Sequence, residues 1–150
     1  MNITIIGAGA WGTALAISLA ANHRVMLWAR DAAQIGEMQT SRRNQRYLPD
    51  VPLPDYLELS SNFTDALATA DLAMIAVPTA ALRSTLRQFA LSQPSIGVVW
   101  VCKGFEAKTS LLPHLVVAEI LPEGCKCAVL SGPSFAQEVA RGLPTALTLA

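Results

Sequence analysis

Short aliphatic runs recur along the chain and alternate with longer stretches in which apolar residues repeat at helical spacing. Each run predicts a buried strand, and the runs lie at 3–6, 24–29, 72–77, 97–102, 127–130 and 145–149. Between them the spacing predicts helices at 13–22, 31–40, 65–70, 79–91, 109–121 and 135–141. Strands that alternate with helices predict an α/β fold, with a parallel, doubly wound sheet that carries helices on both faces.

The first strand leads directly into a glycine-rich turn, GAGAWG at 7–12, and a helix of small residues follows it. In this G-x-G-x-x-G pattern Gly7 allows a tight turn, Gly9 lets a pyrophosphate approach the backbone, and Gly12 lets the helix pack closely on the sheet. The amino end of the helix favours a bound phosphate at the same place. The pattern therefore predicts a Rossmann-like sheet with a dinucleotide site at this turn.

The composition of the 150 residues argues against several other classes of function. Eleven basic and eleven acidic side chains balance, so no general basic field attracts nucleic acid or an anionic membrane surface. Glycines interrupt the apolar amino-terminal stretch and no basic segment precedes it, which argues against a signal peptide or membrane insertion. Cys125 and Cys127 lack a second pair at zinc-like spacing, so we predict no metal site and expect these thiols to be reduced and buried.

The second predicted strand is followed by Arg30 and Asp31, at the point where a dinucleotide fold meets the adenosine ribose. An acid there accepts from the ribose 2′-hydroxyl of NAD(H), whereas an arginine pairs with the 2′-phosphate of NADP(H). The arginine comes first, which favours NADP(H) without excluding NAD(H). The alternative is that both side chains are solvated and that Asp31 caps the helix that begins at Ala32.

A segment rich in proline, 41–62, comes next, and Pro49, Pro52 and Pro54 exclude a helix there. We predict a long loop without regular structure, which in a compact domain is usually functional. The loop concentrates arginines beside Tyr47. It is either a flap near an anionic ligand or a solvated basic surface loop.

Ligands of parallel sheets bind at the carboxyl ends of the strands, and here those ends carry small or basic residues. Pro78 ends the third predicted strand, Lys103 follows the fourth, and SGPS at 131–134 follows the fifth. Lys103 is either a cation that meets a phosphate or a developing alkoxide, or an ordinary solvated lysine. The 131–134 segment is either a small anion site or a helix N-cap.

Six segments together resemble the bacterial NAD(P)-dependent glycerol-3-phosphate dehydrogenases, in the same order along the whole chain. They are GAGAWGTALA (7–16), LWAR (27–30), NQRYLPD (44–50), AVPT (76–79), CKGFE (102–106) and SGPSFAQEVARGLPTA (131–146). The SGPSFAQEVA run is more specific to that family than the glycine turn. The resemblance implies reversible reduction of dihydroxyacetone phosphate to sn-glycerol 3-phosphate with NADP(H) and/or NAD(H), in the cytoplasm, for glycerophospholipid synthesis.

Matching positions imply roles for individual residues. The glycine pattern and the strand ends already predict cofactor contacts at Gly7, Gly9, Gly12 and Pro78. The resemblance adds Ala10, Trp11, Arg30, Tyr47, Lys103 and Ala136. The implied substrate contacts are Lys103, Gly132 and Ser134. Ala10 stands where the family often has serine, which removes one hydroxyl contact but keeps the backbone N–H.

The family also implies an all-helical domain after residue 150, which carries the lysine that acts as general acid/base. Residues 1–150 are therefore expected to be the dinucleotide-binding domain of a larger enzyme that acts on a small phosphorylated substrate and forms a homodimer at full length. We expect this domain to be inactive alone. The alternatives are a non-catalytic dinucleotide-sensing module or another reductase of the same superfamily.

Overall fold

In the computed structural model, which describes residues 1–92 and 95–150, strands and helices alternate along the chain. The strands are β1 (Asn2–Ile6), β2 (Arg24–Trp28), β3 (Arg43–Asn44), β4 (Leu48–Pro52), β5 (Glu58–Ser60), β6 (Leu72–Ile75), β7 (Gly97–Trp100), β8 (Cys127–Ser131) and β9 (Thr148–Leu149). The helices are α1 (Ala10–Ala20), α2 (Ala32–Ser41), α3 (Phe63–Leu67), α4 (Thr79–Ser92), α5 (Pro113–Ile120) and α6 (Ala136–Ala140).

The central sheet has the strand order β5-β2-β1-β6-β7-β8-β9. Strand β1 lies inside it and pairs in parallel with β2 on one side and with β6 on the other. The chain therefore builds the sheet outward from β1 in both directions, and the strand order reverses at the carboxyl end of β1. The doubly wound α/β fold predicted from the sequence is confirmed.

Helices cover both faces of the sheet, because alternate residues of each strand point to opposite sides. On one face Ile6 and Ile75 pack with buried residues of α3, α4 and α5, such as Phe89. On the other face Ile5 packs with buried residues of α1 and α2, such as Leu15. Helix α1 is apolar around most of its circumference, because α6 and β4 cover the side that faces away from the sheet.

The prediction of a structureless segment at 41–62 is wrong. Strands β3 and β4 form an antiparallel hairpin, and β5 joins the edge of the main sheet in parallel with β2. Buried aliphatic side chains hold this segment in place, among them Leu48, Leu53 and Leu57. Pro49 and Pro52 are tolerated in β4 because a two-stranded ribbon leaves one side of each strand without a partner strand.

Two other elements differ from the prediction by more than a shift of a few residues at their ends. The last strand, β9, is short and runs antiparallel to β8, so the sheet is not entirely parallel. Helix α5 begins at Pro113 rather than at Thr109, because Ser110 has a left-handed φ of 58° and the proline ring suits the first helical position.

The cysteines differ in exposure. Cys102 is buried, and burial raises the pKa of its thiol to about 11. The expectation that the other two are buried is wrong for Cys127, which is exposed, and Cys125 is half-buried. Cys127 is the first residue of β8 and Cys125 precedes it, so both lie away from the end of β8 that the short β9 covers. Within 1–92 and 95–150, none of the helices is long and apolar enough to cross a bilayer.

Candidate functional site

The parallel register aligns the carboxyl ends of the central strands along one edge of the sheet. Arg30 follows β2, the glycine turn follows β1, Pro78 follows β6, Lys103 follows β7 and Gly132 follows β8. The sequence-predicted residues therefore lie in a row that crosses the point of strand-order reversal. In open α/β sheets this is the edge where ligands bind.

Two glycines of the turn are required by the fold itself. Gly7 has a φ of +119°, and a Cβ built on it would lie 2.6 Å from the backbone oxygen of Ala76. A Cβ on Gly12 would overlap the backbone oxygen of Gly7. The Gly7 N–H donates to the backbone oxygen of Trp28 at 2.9 Å, so the turn is fastened to β2 as well as to the residue after β6.

Gly9 has a different environment. Apart from Gly9 and its two chain neighbours, no described residue has an atom within 4 Å of a Cβ built on Gly9, so the position faces open space. Gly9 is also the N-cap of α1, and no side chain of the described residues forms a capping hydrogen bond there. The first hydrogen bond of the helix runs from Thr13 N–H to the Gly9 oxygen at 3.0 Å. The N–H groups of the first helical residues are therefore available to an anion.

The β3–β4 hairpin is attached to this turn by a buried amide. Asn44 is fully buried, and its Nδ2 donates to the Ala8 oxygen at 3.0 Å and to the Thr13 hydroxyl at 2.7 Å. Gln34 Nε2 donates to the same Ala8 oxygen at 2.9 Å. Sequence reasoning included Asn44 in a motif but gave it no role, because its partners lie on a distant part of the chain.

A small apolar cluster holds the hairpin from its other side. Leu48 and Val51 pack with Ala14 of α1 and with Val139 and Ala140 of α6, and the predicted cofactor contact Ala136 packs against the same cluster. Tyr47 lies at the turn of the hairpin, 44% exposed, with the Arg46 guanidinium 5.4 Å from its ring centroid. The segment is therefore a hairpin packed beside the turn, with Arg46 and Tyr47 at the surface.

At the end of β2, the two charged side chains have different surroundings. Asp31 caps α2, since its Oδ1 accepts from Ala33 N–H at 3.0 Å and from Gln34 N–H at 3.3 Å. Its Oδ2 lies 3.8 Å from Arg46 Nη1. Arg30 is exposed and forms no ion pair with any described residue. The capping interpretation of Asp31 is confirmed, and Arg30 is left facing solvent.

Lys103 and Gly132 meet at the far part of the edge. Lys103 Nζ donates to the Gly132 oxygen at 3.0 Å, and the Thr79 hydroxyl donates to the Lys103 oxygen at 2.6 Å. Trp11, Lys103 and Gly132 line one narrow crevice. A Cβ on Gly132 would lie 2.6 Å from the Ala146 oxygen, so this position also requires glycine.

Pro78 and Ser134 do not line this crevice. Pro78 is exposed at the start of α4, where its oxygen accepts from Ala81 N–H at 2.8 Å. The N-cap of α6 is Phe135, so Ser134 does not cap that helix. The Ser134 Oγ is buried and has no hydrogen-bond partner among the residues described.

Glu106, in the segment after Lys103, is a buried acid that sequence reasoning did not single out. It is 7% exposed and accepts two hydrogen bonds from Arg83 Nε and Nη2, at 2.8 and 2.9 Å. These bonds, followed by one from the Thr109 hydroxyl, lower the pKa of Glu106 from 4.5 to about 2. Arg83 Nη1 also pairs with Glu119 at 2.7 Å.

A larger concavity of about 550 Å³ lies elsewhere, over one face of the sheet. Its lining is mainly aliphatic, as at Ile3, Leu15 and Leu147, and it extends to Met1 and His23 at the amino ends of the strands. Neither the lining nor the position suits a phosphorylated ligand. The carboxyl edge is therefore the better candidate site.

Comparison with known proteins identifies the family. The family model described as "NAD-dependent glycerol-3-phosphate dehydrogenase N-terminus" matches residues 2–150. The chain belongs to this family. The prediction made from the six sequence segments is confirmed, which excludes the other reductases considered as alternatives.

Individual relatives agree with this membership. The chain is 56% identical over 150 residues to a glycerol-3-phosphate dehydrogenase (NAD(P)+) of Thiobacillus denitrificans, covering 100% of this chain and 46% of that protein. A crystal structure of the enzyme from Coxiella burnetii matches 99% of this chain and 46% of its own, with 37% identity and a TM-score of 0.90. The enzyme of Saccharomyces cerevisiae matches with 27% identity and a TM-score of 0.84, covering 100% of this chain and 47% of that one. The chain thus spans about half the length of these relatives.

The hairpin contacts predict a specific loss of stability. Replacing Asn44 with alanine removes both bonds of its amide, so the free energy of unfolding should fall by about 1 to 2 kcal/mol. Urea unfolding measures this value. Gln45→Ala, at the exposed neighbouring amide, is the control and should change stability by less than about 0.5 kcal/mol. Equal losses in the two variants would contradict the anchoring role of Asn44.

The low pKa of Glu106 predicts how stability depends on pH. The carboxylate favours the folded state when it is ionised, so its contribution is fully present above pH 4.5 and is lost as the pH falls towards 2. Glu106→Gln cannot lose a contribution in this way. The difference in free energy of unfolding between the natural chain and Glu106→Gln should shrink through that interval. A difference that stays constant would show that Glu106 titrates normally.

Proposed function

We propose that this chain is the dinucleotide-binding domain of a glycerol-3-phosphate dehydrogenase that uses NADP(H) and/or NAD(H). The observation that carries the proposal is the open amino end of α1 at Gly9. There the backbone N–H groups and the helix dipole face a space that no side chain occupies within the described structure. Such a space suits a pyrophosphate, so the residues present fit the cofactor.

The cofactor would lie along the carboxyl edge of the sheet. Its adenosine half would lie beside Arg30 at the end of β2, and its nicotinamide half would extend towards Lys103 at the end of β7. Ala10 and Trp11, in the first turn of α1, would contact the pyrophosphate between them. Tyr47 and Ala136 would border the cofactor from the hairpin and from α6.

The surroundings of Arg30 favour NADP(H). The Asp31 carboxylate is committed to the cap of α2 and lies near Arg46, so it is a poor acceptor for a ribose hydroxyl. Arg30 faces solvent beside it, and a guanidinium pairs well with a phosphate. A 2′-phosphate would therefore find at least one unengaged cation at this end of the site.

The substrate would meet Lys103, Gly132 and Ser134. The ammonium of Lys103 is already directed at the Gly132 oxygen, and the buried Ser134 hydroxyl has unused hydrogen-bonding capacity among the described residues. These groups would bind and orient dihydroxyacetone phosphate against the nicotinamide. The bound cofactor would supply the hydride that converts the carbonyl of this substrate to sn-glycerol 3-phosphate.

The complete enzyme would need more than these residues. The relatives are about twice as long as the chain, and we infer that an all-helical domain after residue 150 supplies the general acid/base lysine. The full-length protein would be a cytoplasmic homodimer that serves glycerophospholipid synthesis. Residues 1–150 alone would bind the cofactor without turning over the substrate.

A methyl group at Gly9 should weaken cofactor binding without unfolding the chain. Beyond its chain neighbours, the Cβ of Gly9→Ala meets no described residue within 4 Å, so the melting temperature should be unchanged. NADPH affinity should fall roughly tenfold, because the methyl group occupies the space of the pyrophosphate. Gly36→Ala is the matched control, because a Cβ there is equally unobstructed and lies on α2. It should bind NADPH normally in a calorimetric titration. Unchanged affinity in Gly9→Ala would contradict the proposed pyrophosphate site.

Arg30 should discriminate between the two cofactors. Arg30→Ala should weaken NADPH binding about tenfold or more and change NADH binding little, because only NADPH carries the 2′-phosphate. The control is Arg24→Ala, which removes an exposed arginine from the opposite end of the same strand, where it pairs with Glu58. Titration of both variants with both cofactors measures the difference. Equal loss of the two affinities in Arg30→Ala would argue against contact with the phosphate.

A further inference from the structure

The segment between β7 and α5 is irregular but tightly closed on itself. Within the described residues 103–112, Glu106 N–H donates to the Leu111 oxygen at 2.9 Å, and Ser110 N–H donates to the Glu106 oxygen at 2.8 Å. At its start, the Lys103 oxygen accepts from the Thr79 hydroxyl. The backbone at 110–111 thus folds back onto Glu106, three residues after Lys103.

The Glu106 side chain connects this segment to α4 directly and to α5 through Arg83. It accepts a bidentate pair of hydrogen bonds from Arg83 of α4 and a further bond from Thr109 at 2.5 Å. The remaining Arg83 nitrogen pairs with Glu119 of α5. Only 10% of the Glu106 side chain and 19% of the Arg83 side chain are exposed, whereas half of the Glu119 side chain is.

A buried ion pair stabilises a fold little more than an apolar pair of the same size would, since desolvation offsets most of the attraction between the charges. Its geometry, however, is far more restrictive than that of an aliphatic contact, because planar groups with several bonds fit in one arrangement. Here the arrangement fixes the backbone beside Lys103, a side chain with many rotamers and an exposed position. Phe105, between the two, is also exposed and adds little packing of its own.

We infer that Glu106, held by Arg83, is a positioning residue for Lys103 and sets the direction of its ammonium towards Gly132 and the bound ligands. The inference rests on the proposed function, since Lys103 is taken to meet the nicotinamide half of the cofactor. Glu106 itself does not line the crevice that contains Trp11, Lys103 and Gly132. It acts by holding the loop that carries Lys103, so its effect on binding should disappear when the lysine side chain is removed.

A double-mutant cycle on the 150-residue chain tests this dependence. The variants are Glu106→Gln, Lys103→Ala and both together, each titrated with NADPH and with 2′-phospho-ADP-ribose, which lacks the nicotinamide. Glu106→Gln should weaken NADPH binding about threefold to tenfold, should leave the fragment within about twofold, and should have no further effect once Lys103 is alanine. The matched control is Glu119→Gln, which removes the exposed partner of Arg83 from outside the loop and should bind both ligands normally.

The outcomes separate the inference from the function on which it rests. If the natural chain binds neither ligand, the proposed dinucleotide site is wrong. If it binds both, but Glu106→Gln weakens NADPH equally with and without Lys103, or weakens both ligands alike, the positioning role is wrong. If Glu106→Gln does not fold, Thr109→Val removes one bond to Glu106 and keeps the ion pair. The effect of Thr109→Val on NADPH binding must then also disappear when Lys103 is alanine. An effect that persists without Lys103, or no effect at all, would overturn the inference.

Discussion

The close approach of α1 to the centre of the sheet is the constraint on which the rest of this structure depends. Gly7 turns against the Ala76 oxygen with a φ that other residues rarely adopt, and Gly12 packs directly on the Gly7 oxygen. The nearest atoms that a Cβ would meet belong to the backbone, so no change of rotamer can relieve the clash that a larger residue would cause. They fix the amino end of α1 over the ends of β1 and β6, and they leave Gly9 as the only glycine of this turn with open space in the described structure. The direction of the helix N–H groups is therefore set by the fold before any ligand arrives.

The turn leaves a buried backbone oxygen, that of Ala8, which side chains from distant parts of the chain satisfy. The turn directs the Ala8 oxygen into the interior, where a backbone acceptor requires a partner. Gln34 and Asn44 both supply one, and Asn44 also bonds Thr13 within α1. The hairpin is thus part of the support of the turn as well as a wall of the site. These contacts explain why a segment with the composition of a surface loop forms a packed hairpin.

The sequence predicted those parts of the structure that depend on local patterns. Each aliphatic run formed a strand, and the glycine pattern sufficed to predict the turn, because spacing and φ are local properties. The hairpin was missed because its anchors lie far apart in sequence: Asn44 bonds Thr13, and Leu48 packs with Val139. The direction of β9 was missed because an aliphatic run has no polarity that distinguishes parallel from antiparallel pairing. Arg83 and Glu106 were missed because the residue types alone do not show whether an arginine and a glutamate pair in the interior or remain solvated.

The three supports of the carboxyl edge differ in physical kind, and this affects how the site responds to change. Backbone contacts hold the glycine turn, neutral amide bonds hold the hairpin, and an ion pair holds the loop after Lys103. Acid acts on the ion pair alone among these, through the carboxylate of Glu106, and leaves the turn and the amide bonds intact. A ligand that extends from Arg30 to Lys103 crosses all three regions, so each support governs a different part of its contact surface. Affinity for one half of a dinucleotide can therefore change while affinity for the other half, and the fold, are preserved.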